Sequence, residues 1–318
     1  MDNYRANIQR IDDTVRPQWS VMIPVYNCAK YLAQTLESVL AQAPDASQMQ
    51  IEVVDDCSTD NPEKVVQEVG KGRVAYFRQP TNLGHTGNFE TCLKRSKGLW
   101  VHQLHGDDYV LPGFYAKHQE QIDQHPELGA SFCQTFSINE RNQYISVSQL
   151  IQSEAGIIPE FLYNIARLQK IYTPSIVVKR AVYEELGGFD TRLTWCEEWE
   201  MWARIAANYP MAYIPEALAV YRVHSSSNTA RYSKSAEKIA DLARGVAIIN
   251  NYLPESKKKE YSQWSRNYYA ESWAMGDAAN ALAAGDKELA RKYIKLVFSL
   301  ANRPVVFMQA AKLWVKTI

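Results

Sequence analysis

Residues 99–110 read LWVHQLHGDDYV, an apolar strand that runs directly into two adjacent carboxylates, Asp107 and Asp108. The two charges repel each other, and no Lys or Arg lies within several positions of them. A hard divalent cation takes carboxylate oxygens from a protein and completes its shell with phosphate and water. The stretch therefore indicates either a solvated turn or a metal site that receives a nucleotide diphosphate.

The first two thirds of the chain alternate short apolar runs with helical patterns, which is typical of an α/β sheet of mainly parallel strands. The strand QIEVV (50–54) also ends in two carboxylates, Asp55 and Asp56. Ligands of open α/β sheets bind at the carboxyl ends of the strands, so both acidic pairs lie where a ligand is expected. The predicted strands are residues 20–25, 50–54, 73–79, 99–104, 128–136 and 174–179, with residues 211–215 and 217–224 expected to pair as closing strands. The predicted helices are residues 30–41, 61–70, 86–97 and 197–208.

The composition narrows the class of protein. The 318 residues are 46% hydrophobic, and 35 basic residues balance 35 acidic ones, which argues against a nucleic-acid-binding protein. The five cysteines show no CxxC pairing, so a reducing compartment fits best. The sequence shows neither a signal peptide nor about 18 consecutive apolar residues. We expect a soluble, cytoplasmic protein.

The chain divides into three predicted segments. Residues 1–17 form an N-terminal extension, residues 18–230 a catalytic domain and residues 231–318 a helical C-terminal region. The last helices carry lysines and arginines among apolar residues, so they are expected either to lie on the inner face of the cell membrane or to pack on the catalytic domain or a second subunit. The packing alternative is slightly favoured.

Several side chains suggest a role in binding or catalysis, and some of them also have a simpler structural explanation. An ionised Asp56 can accept a hydrogen bond from the N3–H of uracil or thymine but not from cytosine, while Ser58–Asp60 serve the following turn. Glu197 and Glu198 begin a helix, where the dipole favours acids, and one of them could be a general base. His224 lies in a hydroxyl-rich loop beside Arg222, which suits a diphosphate or metal contact.

Seven motifs, in their order and spacing, resemble family two of the inverting glycosyltransferases over about residues 18–229; they are IPVYN, VVDDCSTD, TNLGHTGN, HGDD, GGFD, EEWEMWAR and YRVH. The resemblance implies the GT-A fold, a Rossmann-like nucleotide-binding mixed sheet flanked by helices, here with a C-terminal helical appendage. It also implies Mn²⁺ or Mg²⁺ as cofactor, a nucleotide-sugar donor, and a saccharide or lipid-linked saccharide acceptor.

The resemblance assigns roles to matching positions. Glu198 aligns with the catalytic base, with Glu197 left open as the alternative, and Asp108 and His224 align with metal ligands. The residues expected to bind the donor are Pro24, Tyr26, Asp56, Asn82, Asp107 and Arg222.

Three positions depart from the family pattern. His105 stands where many relatives carry the first acid of an extended DxDD, Gly87 stands where many carry Arg, and Glu198 replaces the usual Asp. None of these removes the expected metal ligand or base. We therefore expect an inverting, metal-dependent glycosyltransferase of cell-surface polysaccharide synthesis that favours UDP- or dTDP-sugars. A sugar nucleotidyltransferase and a non-catalytic sugar-nucleotide-binding scaffold are the alternatives.

Overall fold

The computed structural model describes residues 4–12, 15–227 and 237–318, so the predicted domain boundary at residue 230 lies outside the described residues. The chain forms two compact units. The first unit comprises Met1–Phe161, Lys170–Thr191 and Asn208–Val223. The second unit comprises Leu162–Gln169, Arg192–Ala207 and His224–Ile318.

The first unit is built on one sheet with the strand order β3-β2-β1-β4-β9-β6-β10-β5, in which β7 pairs with β6 and β8 with β10. The strands are β1 (Trp19–Val25), β2 (Met49–Asp55), β3 (Ala75–Arg78), β4 (Trp100–Gln103), β5 (Tyr109–Val110), β6 (Ala130–Asn139), β7 (Tyr144–Val147), β8 (Gly156–Ile157), β9 (Ile176–Lys179) and β10 (Met211–Val223). The helices are α1 (Ala29–Leu40), α2 (Pro62–Gly70), α3 (Gly84–Arg95), α4 (Phe114–Gln124) and α6 (Arg180–Leu186), with a short 3-10 turn at Thr173–Ser175. The short helix α5 (Phe161–Ile165) begins at the last residue of the Met1–Phe161 segment and belongs mostly to the second unit.

The sheet is mixed, as the resemblance implies. Strand β1 pairs in parallel with β2 and β4, whereas β9 pairs antiparallel with both β4 and β6. Every residue of β1 is buried, because helices cover both faces of the sheet and a central parallel strand is then apolar on both sides. Leu32, Leu36 and Val39 on α1 join this core, as their spacing predicts.

Residues 211–224 differ from the prediction of two paired closing strands. They form one strand, β10, that runs parallel to β6 from Met211 to Val223. Its register shifts between Ile214 and Ala219. Pro215 has no backbone N–H to give to a sheet, and a bulge is one of the few places where a strand accepts proline. The strand therefore accommodates Pro215 in a bulge and does not end in a turn there.

The second unit is helical. It contains most of α7 (Glu197–Asn208), together with helices at Glu237–Asn250, Glu255–Tyr269, Met275–Ala283, Lys287–Leu300 and Pro304–Val315 and a π-helical segment at Ala270–Ala274. Within the ranges that the structure describes, none of the helices is both long and apolar enough to cross a bilayer.

Candidate functional site

The loops that follow β1, β2 and β4 meet at the carboxyl edge of the sheet, because these strands are adjacent and parallel. Backbone hydrogen bonds join them. The N–H of Asp56 donates to the carbonyl of Val25 (2.9 Å), and the N–H of Gly106 donates to the carbonyl of Pro24 (3.2 Å). The fold thus brings Pro24, Asp56 and the HGDD turn together, whereas Tyr26 is 53% exposed in the loop after β1.

The two carboxylates after β2 have different surroundings. Asp55 is fully buried and accepts hydrogen bonds from the hydroxyl of Tyr76 (2.7 Å), the guanidinium of Arg78 and the N–H of Ser58 (2.9 Å). With these partners Asp55 stabilises the fold. The next residue, Asp56, has different surroundings.

Asp56 is only 2% exposed, and backbone N–H groups rather than side chains hold its carboxylate. The N–H of Leu83 donates to its Oδ1 (2.7 Å), and the side chain of Asn82 donates to its backbone carbonyl (2.9 Å). Burial raises the pKa of Asp56, and the N–H groups of Leu83 and Gly84 offset part of that rise. A ligand that donates a hydrogen bond to this carboxylate would therefore recover free energy that desolvation costs.

The turn that follows Asp56 connects to the first loop. The N–H of Asn27 donates to Ser58 Oγ (2.9 Å), and the N–H of Ala29 donates to Asp60 Oδ2 (2.8 Å). Thr59 donates its N–H to the side-chain oxygen of Asn27 (2.8 Å). Ser58, Thr59 and Asp60 therefore have the structural role in the turn that their sequence suggests, and Asp60 provides an acceptor for the first N–H of α1.

The HGDD turn is oriented from two sides. Asp108 is 1% exposed, and its Oδ1 accepts a hydrogen bond from the backbone N–H of Arg222 on β10 (2.8 Å). Arg222 also donates from Nε to the carbonyl of Asp107 (3.0 Å). From α1, the hydroxyl of Thr35 lies 2.7 Å from the carbonyl of Asp108 and 3.1 Å from that of Gly106. The backbone of the turn and the carboxylate of Asp108 are consequently held in place by the protein itself.

Arg222 has a structural role that its sequence context did not reveal. Its guanidinium is buried, donates to the side chains of Asn142 (2.6 Å) and Gln34 (2.7 Å), and lies over the ring of Tyr31 at 4.6 Å. The predicted phosphate contact stays a prediction. What the structure supplies is a residue that orients the acidic turn.

The residues of the turn fit a divalent cation. Ligand atoms of His105, Asp107 and Asp108 all lie within 4.8 Å of one another, and His105 Nδ1 lies 3.9 Å from Asp108 Oδ2. Two ligands with bonds of about 2.1 Å can be up to about 4.2 Å apart across one ion, so the 3.9 Å spacing is compatible with shared ligation. One nitrogen and two carboxylates form a donor set for Mn²⁺ or a related ion.

Glu198 and His224 belong to the second unit. On α7, Glu200 forms an ion pair with Arg204 (3.0 Å) and accepts a hydrogen bond from the hydroxyl of Tyr252, so it stabilises this unit. Glu197 is buried, whereas Glu198 is partly exposed. His224 is buried with Nδ1 2.9 Å from Ser226 Oγ. The assigned roles of Glu198 and His224 stay predictions.

Sequence reasoning did not identify Thr35 as a residue that positions the acidic turn. The signal was present, since Thr35 lies among Leu32, Leu36 and Val39 on the buried face of α1. A hydroxyl on such a face needs a hydrogen-bond acceptor, and its acceptors are the carbonyls of the HGDD turn. Nothing in the sequence pointed to that distant partner.

Comparison with known proteins agrees with this architecture. Residues 20–186, just over half of the chain, match the family model described as "Glycosyl transferase family 2". An uncharacterised protein of Mycobacterium tuberculosis is 23% identical over 262 residues, which is 78% of this chain and 81% of that protein.

Two solved structures share the fold. Residues 1–349 of TarS from S. aureus, in complex with UDP-GlcNAc, superpose with a TM-score of 0.71 at 19% identity, covering 94% of this chain and 89% of that one. The mannosyltransferase PcManGT from Pyrobaculum calidifontis, in complex with GDP-Man and Mn²⁺, gives a TM-score of 0.58 at 19% identity, covering 96% and 86%. At this level of identity the similarity confirms the GT-A fold with its C-terminal helices.

Proposed function

The chain belongs to glycosyl transferase family 2, and from this membership we propose that it transfers a sugar from a nucleotide-diphosphate sugar to a hydroxyl of a saccharide or lipid-linked saccharide, with inversion at the anomeric carbon. The observation that carries the proposal is the meeting of Asp56 with the Asp107–Asp108 turn at one edge of the sheet. A buried carboxylate that can receive a base N–H and an acidic pair that suits a metal diphosphate together match the two ends of a sugar nucleotide.

The donor is proposed to be a UDP- or dTDP-sugar. The N3–H of uracil or thymine donates to Asp56, whereas cytosine has an acceptor at that position and would face the carboxylate unfavourably. The raised pKa of Asp56 supports this, because a buried carboxylate without a donor from the ligand pays a desolvation cost. TarS, which was solved with UDP-GlcNAc, offers a precedent for uridine in this fold.

Asp108, Asp107 and His224 are proposed to contact the metal diphosphate. A divalent cation bound there would supply Lewis-acid stabilisation of the leaving nucleoside diphosphate. Arg222 and Thr35 hold the Asp108 carboxylate and the backbone of the turn in place, so that little reorganisation of them is needed on binding.

Glu198 is proposed as the general base. Its carboxylate removes the proton from an acceptor hydroxyl as that oxygen attacks the anomeric carbon. The bond between the anomeric carbon and the diphosphate oxygen breaks, its electron pair leaves with the nucleoside diphosphate, and attack from the opposite face inverts the configuration. The partial exposure of Glu198 favours it over the buried Glu197, because a base must reach a substrate.

The last helix, Pro304–Val315, is proposed to bring the enzyme to an anionic membrane surface where a lipid-linked acceptor resides. Val306 and Ala310 are buried, whereas Val305, Met308 and Val315 are exposed. Residues 289–318 contain no Asp or Glu, so the charged side chains of this segment are all basic. Exposed apolar residues beside lysines suit an interface of apolar lipid and anionic headgroups. The cytoplasmic location and a role in cell-surface polysaccharide synthesis belong to the same proposal.

The membrane part is tested with Met308→Glu and Val315→Glu, singly and together. Wild type should sediment with vesicles of phosphatidylglycerol but not of phosphatidylcholine, and the double variant should stay in the supernatant. If the double variant instead changes the oligomeric state in light scattering and leaves vesicle binding unchanged, the exposed residues form a subunit interface and the membrane proposal is wrong.

The catalytic part is tested by product analysis. Purified protein with Mn²⁺ and each of UDP-, dTDP-, GDP- and CDP-sugars should release the nucleoside diphosphate from a uridine or thymidine donor, slowly without acceptor and faster with one. Pyrophosphate as the product would indicate a sugar nucleotidyltransferase. Tight binding of a sugar nucleotide without release of any product, with a range of saccharide and lipid-linked acceptors, would indicate a binding scaffold.

A further inference from the structure

His105 occupies a fixed position beside the acidic pair. Its ring stacks on that of Phe89, with centroids 5.0 Å apart and an interplanar angle of 17°. Phe89 is buried and packs in turn on the fully buried Phe189, at 5.6 Å. The Phe89 ring, itself packed on Phe189, thus restricts the rotation of the imidazole. A side chain with this support can present one atom to a ligand at a small entropic cost.

The loop that carries Phe189 is itself secured by the N-terminal extension. The N–H of Gly188 donates to the carbonyl of Ala6 (2.8 Å), and Arg5 lies 3.6 Å from the buried carboxylate of Asp190. A side chain on Gly187 would meet the carbonyl of Ala6 at 3.2 Å, in a backbone conformation (φ +79°) that favours glycine. The Phe89–Phe189 pair that supports the His105 ring therefore contains a residue of a loop in the first unit that is held by a backbone hydrogen bond and an ion pair.

The fixed ring lies with one nitrogen toward the pair. His105 Nδ1 is 3.9 Å from Asp108 Oδ2, while the other oxygen of Asp108 accepts the hydrogen bond from Arg222. With one oxygen directed by the backbone of β10 and the other toward the imidazole, the carboxylate and the ring face a common volume. That volume is where a cation bound by Asp107 and Asp108 would lie.

We propose that His105 is a nitrogen ligand of the divalent cation, which makes the donor site a His-Asp-Asp site with a preference for transition metals over Mg²⁺. The inference rests on the proposed function, because it assumes a cation at the HGDD turn. Imidazole binds first-row transition ions well, whereas Mg²⁺ requires oxygen ligands in a near-ideal octahedron. Replacing a carboxylate by imidazole also removes a negative charge, which weakens the attraction of the site for Mg²⁺ in particular.

The test is pulsed EPR on Mn²⁺ bound to the full-length protein with UDP. A directly coordinated imidazole gives the Mn²⁺ signal a ¹⁴N modulation that carboxylate, phosphate and water ligands do not give. His105→Phe is the informative variant, because it keeps a ring to stack on Phe89 but has no nitrogen. We expect wild type to show the modulation, and H105F to bind Mn²⁺ with the modulation lost or reduced to the part that His224 supplies. His85→Phe, which replaces another histidine beside Phe89, is the matched control and should keep it.

Metal competition gives a second readout. The ratio of the Mg²⁺ and Co²⁺ dissociation constants should fall at least about tenfold in H105F, since only the transition ion loses a preferred ligand. His105→Asp, which restores an acid, should lower the same ratio further. Thermal unfolding of each variant without metal verifies that the fold is retained, and His105→Asn provides a second substitution if the Phe variant is unstable.

The outcomes are distinct. Mn²⁺ bound to wild type without ¹⁴N modulation overturns the proposal while leaving the glycosyltransferase site intact. Modulation that survives in H105F and disappears in His224→Asn assigns the nitrogen to His224 and also overturns it. Modulation reduced by each of the two variants supports His105 as one of two nitrogen ligands. Failure of wild type to bind Mn²⁺ with any nucleotide rejects the metal site as a whole, and with it the metal-dependent part of the proposed function.

Discussion

Replacing Asp108 by Asn separates its role in the site from its role in the fold. The amide keeps an oxygen for the N–H of Arg222, which now donates to Asp108 Oδ1 at 2.8 Å, and it removes the negative charge. Because Asp107 is adjacent and repels Asp108, the variant without ligands should unfold at the wild-type temperature or slightly above it. The substitution should therefore alter the melting temperature only when ligand is present.

The size of the ligand effect can be worked out. UDP with Mn²⁺ at about a hundred times its dissociation constant stabilises wild type by about 2.7 kcal/mol. For a unit of 150–250 residues each kcal/mol raises the melting temperature by about 2–4 °C, so the shift is about 5–10 °C. Loss of a charged ligand contact of about 2.7 kcal/mol weakens binding about a hundredfold, which leaves about 0.4 kcal/mol and a shift of about 1 °C.

The assay is differential scanning fluorimetry of wild type and D108N with UDP, with Mn²⁺ and with both. Asp123→Asn, which changes an exposed aspartate on α4, is the matched control and should shift like wild type. Two results would refute the reasoning. A full shift in D108N would mean that the carboxylate does not bind the metal diphosphate, and a ligand-free melting temperature several degrees lower would mean that its charge stabilises the fold.

Three further substitutions test other parts of the structure. Glu198→Gln should lower kcat at least about a hundredfold with little change in UDP affinity, measured by nucleoside diphosphate release and calorimetry, because it removes a base and not a donor contact; an unchanged kcat would reject the assignment. Asp56→Asn should weaken UDP binding, yet it should unfold at higher urea than wild type at neutral pH. The pKa of Asp56 is raised in the folded state, so wild type loses stability as the pH rises from about 3.8 through that raised value. The difference in urea midpoint should close below about pH 4, and a difference independent of pH would contradict this. Gly98→Ala should destabilise by about 3 kcal/mol or more in urea unfolding, because a Cβ there would lie 2.5 Å from the backbone nitrogen of Ser20; wild-type stability would show that the strand can shift.

The sequence predicts the donor half of the fold well because its signals are local. Apolar runs that end in acids locate β2 and β4, and three-four spacing of Leu32, Leu36 and Val39 locates α1. The single strand at Met211–Val223 was missed because Pro215 is compatible with a turn as well as with a bulge, and only the pairing with β6 distinguishes the two.

Within the candidate site, the sequence and its resemblance predict Asp56 rather than Asp55 as the ligand-facing carboxylate, but they do not supply the physical reason why the two neighbours differ. Asp55 and Asp56 are chemically identical and adjacent, yet Tyr76 and Arg78 satisfy the first and leave the second to its backbone contacts. The distinction depends on β3, about 20 positions away, which no local pattern contains. Arg222 illustrates the same limit, since it lies more than a hundred residues from the turn that it orients.

The two acidic pairs differ in how the structural and ligand-facing roles are divided. At β2 the roles fall on two neighbouring residues, whereas at the HGDD turn they fall on the two oxygens of Asp108. At β2 one carboxylate is used to connect the loop to β3, which leaves its neighbour rigid, buried and available to a ligand donor. At β4 the backbone of β10 fixes one oxygen of Asp108, so that its other oxygen has a defined direction toward His105. In both places, residues outside the candidate site hold the carboxylate in position. The oxygen that faces the ligand carries a free-energy cost of burial or of charge repulsion. A ligand that supplies a hydrogen-bond donor or a positive charge at these carboxylates reduces that cost. The nucleobase, the metal and the diphosphate are therefore each expected to stabilise the first unit when they bind.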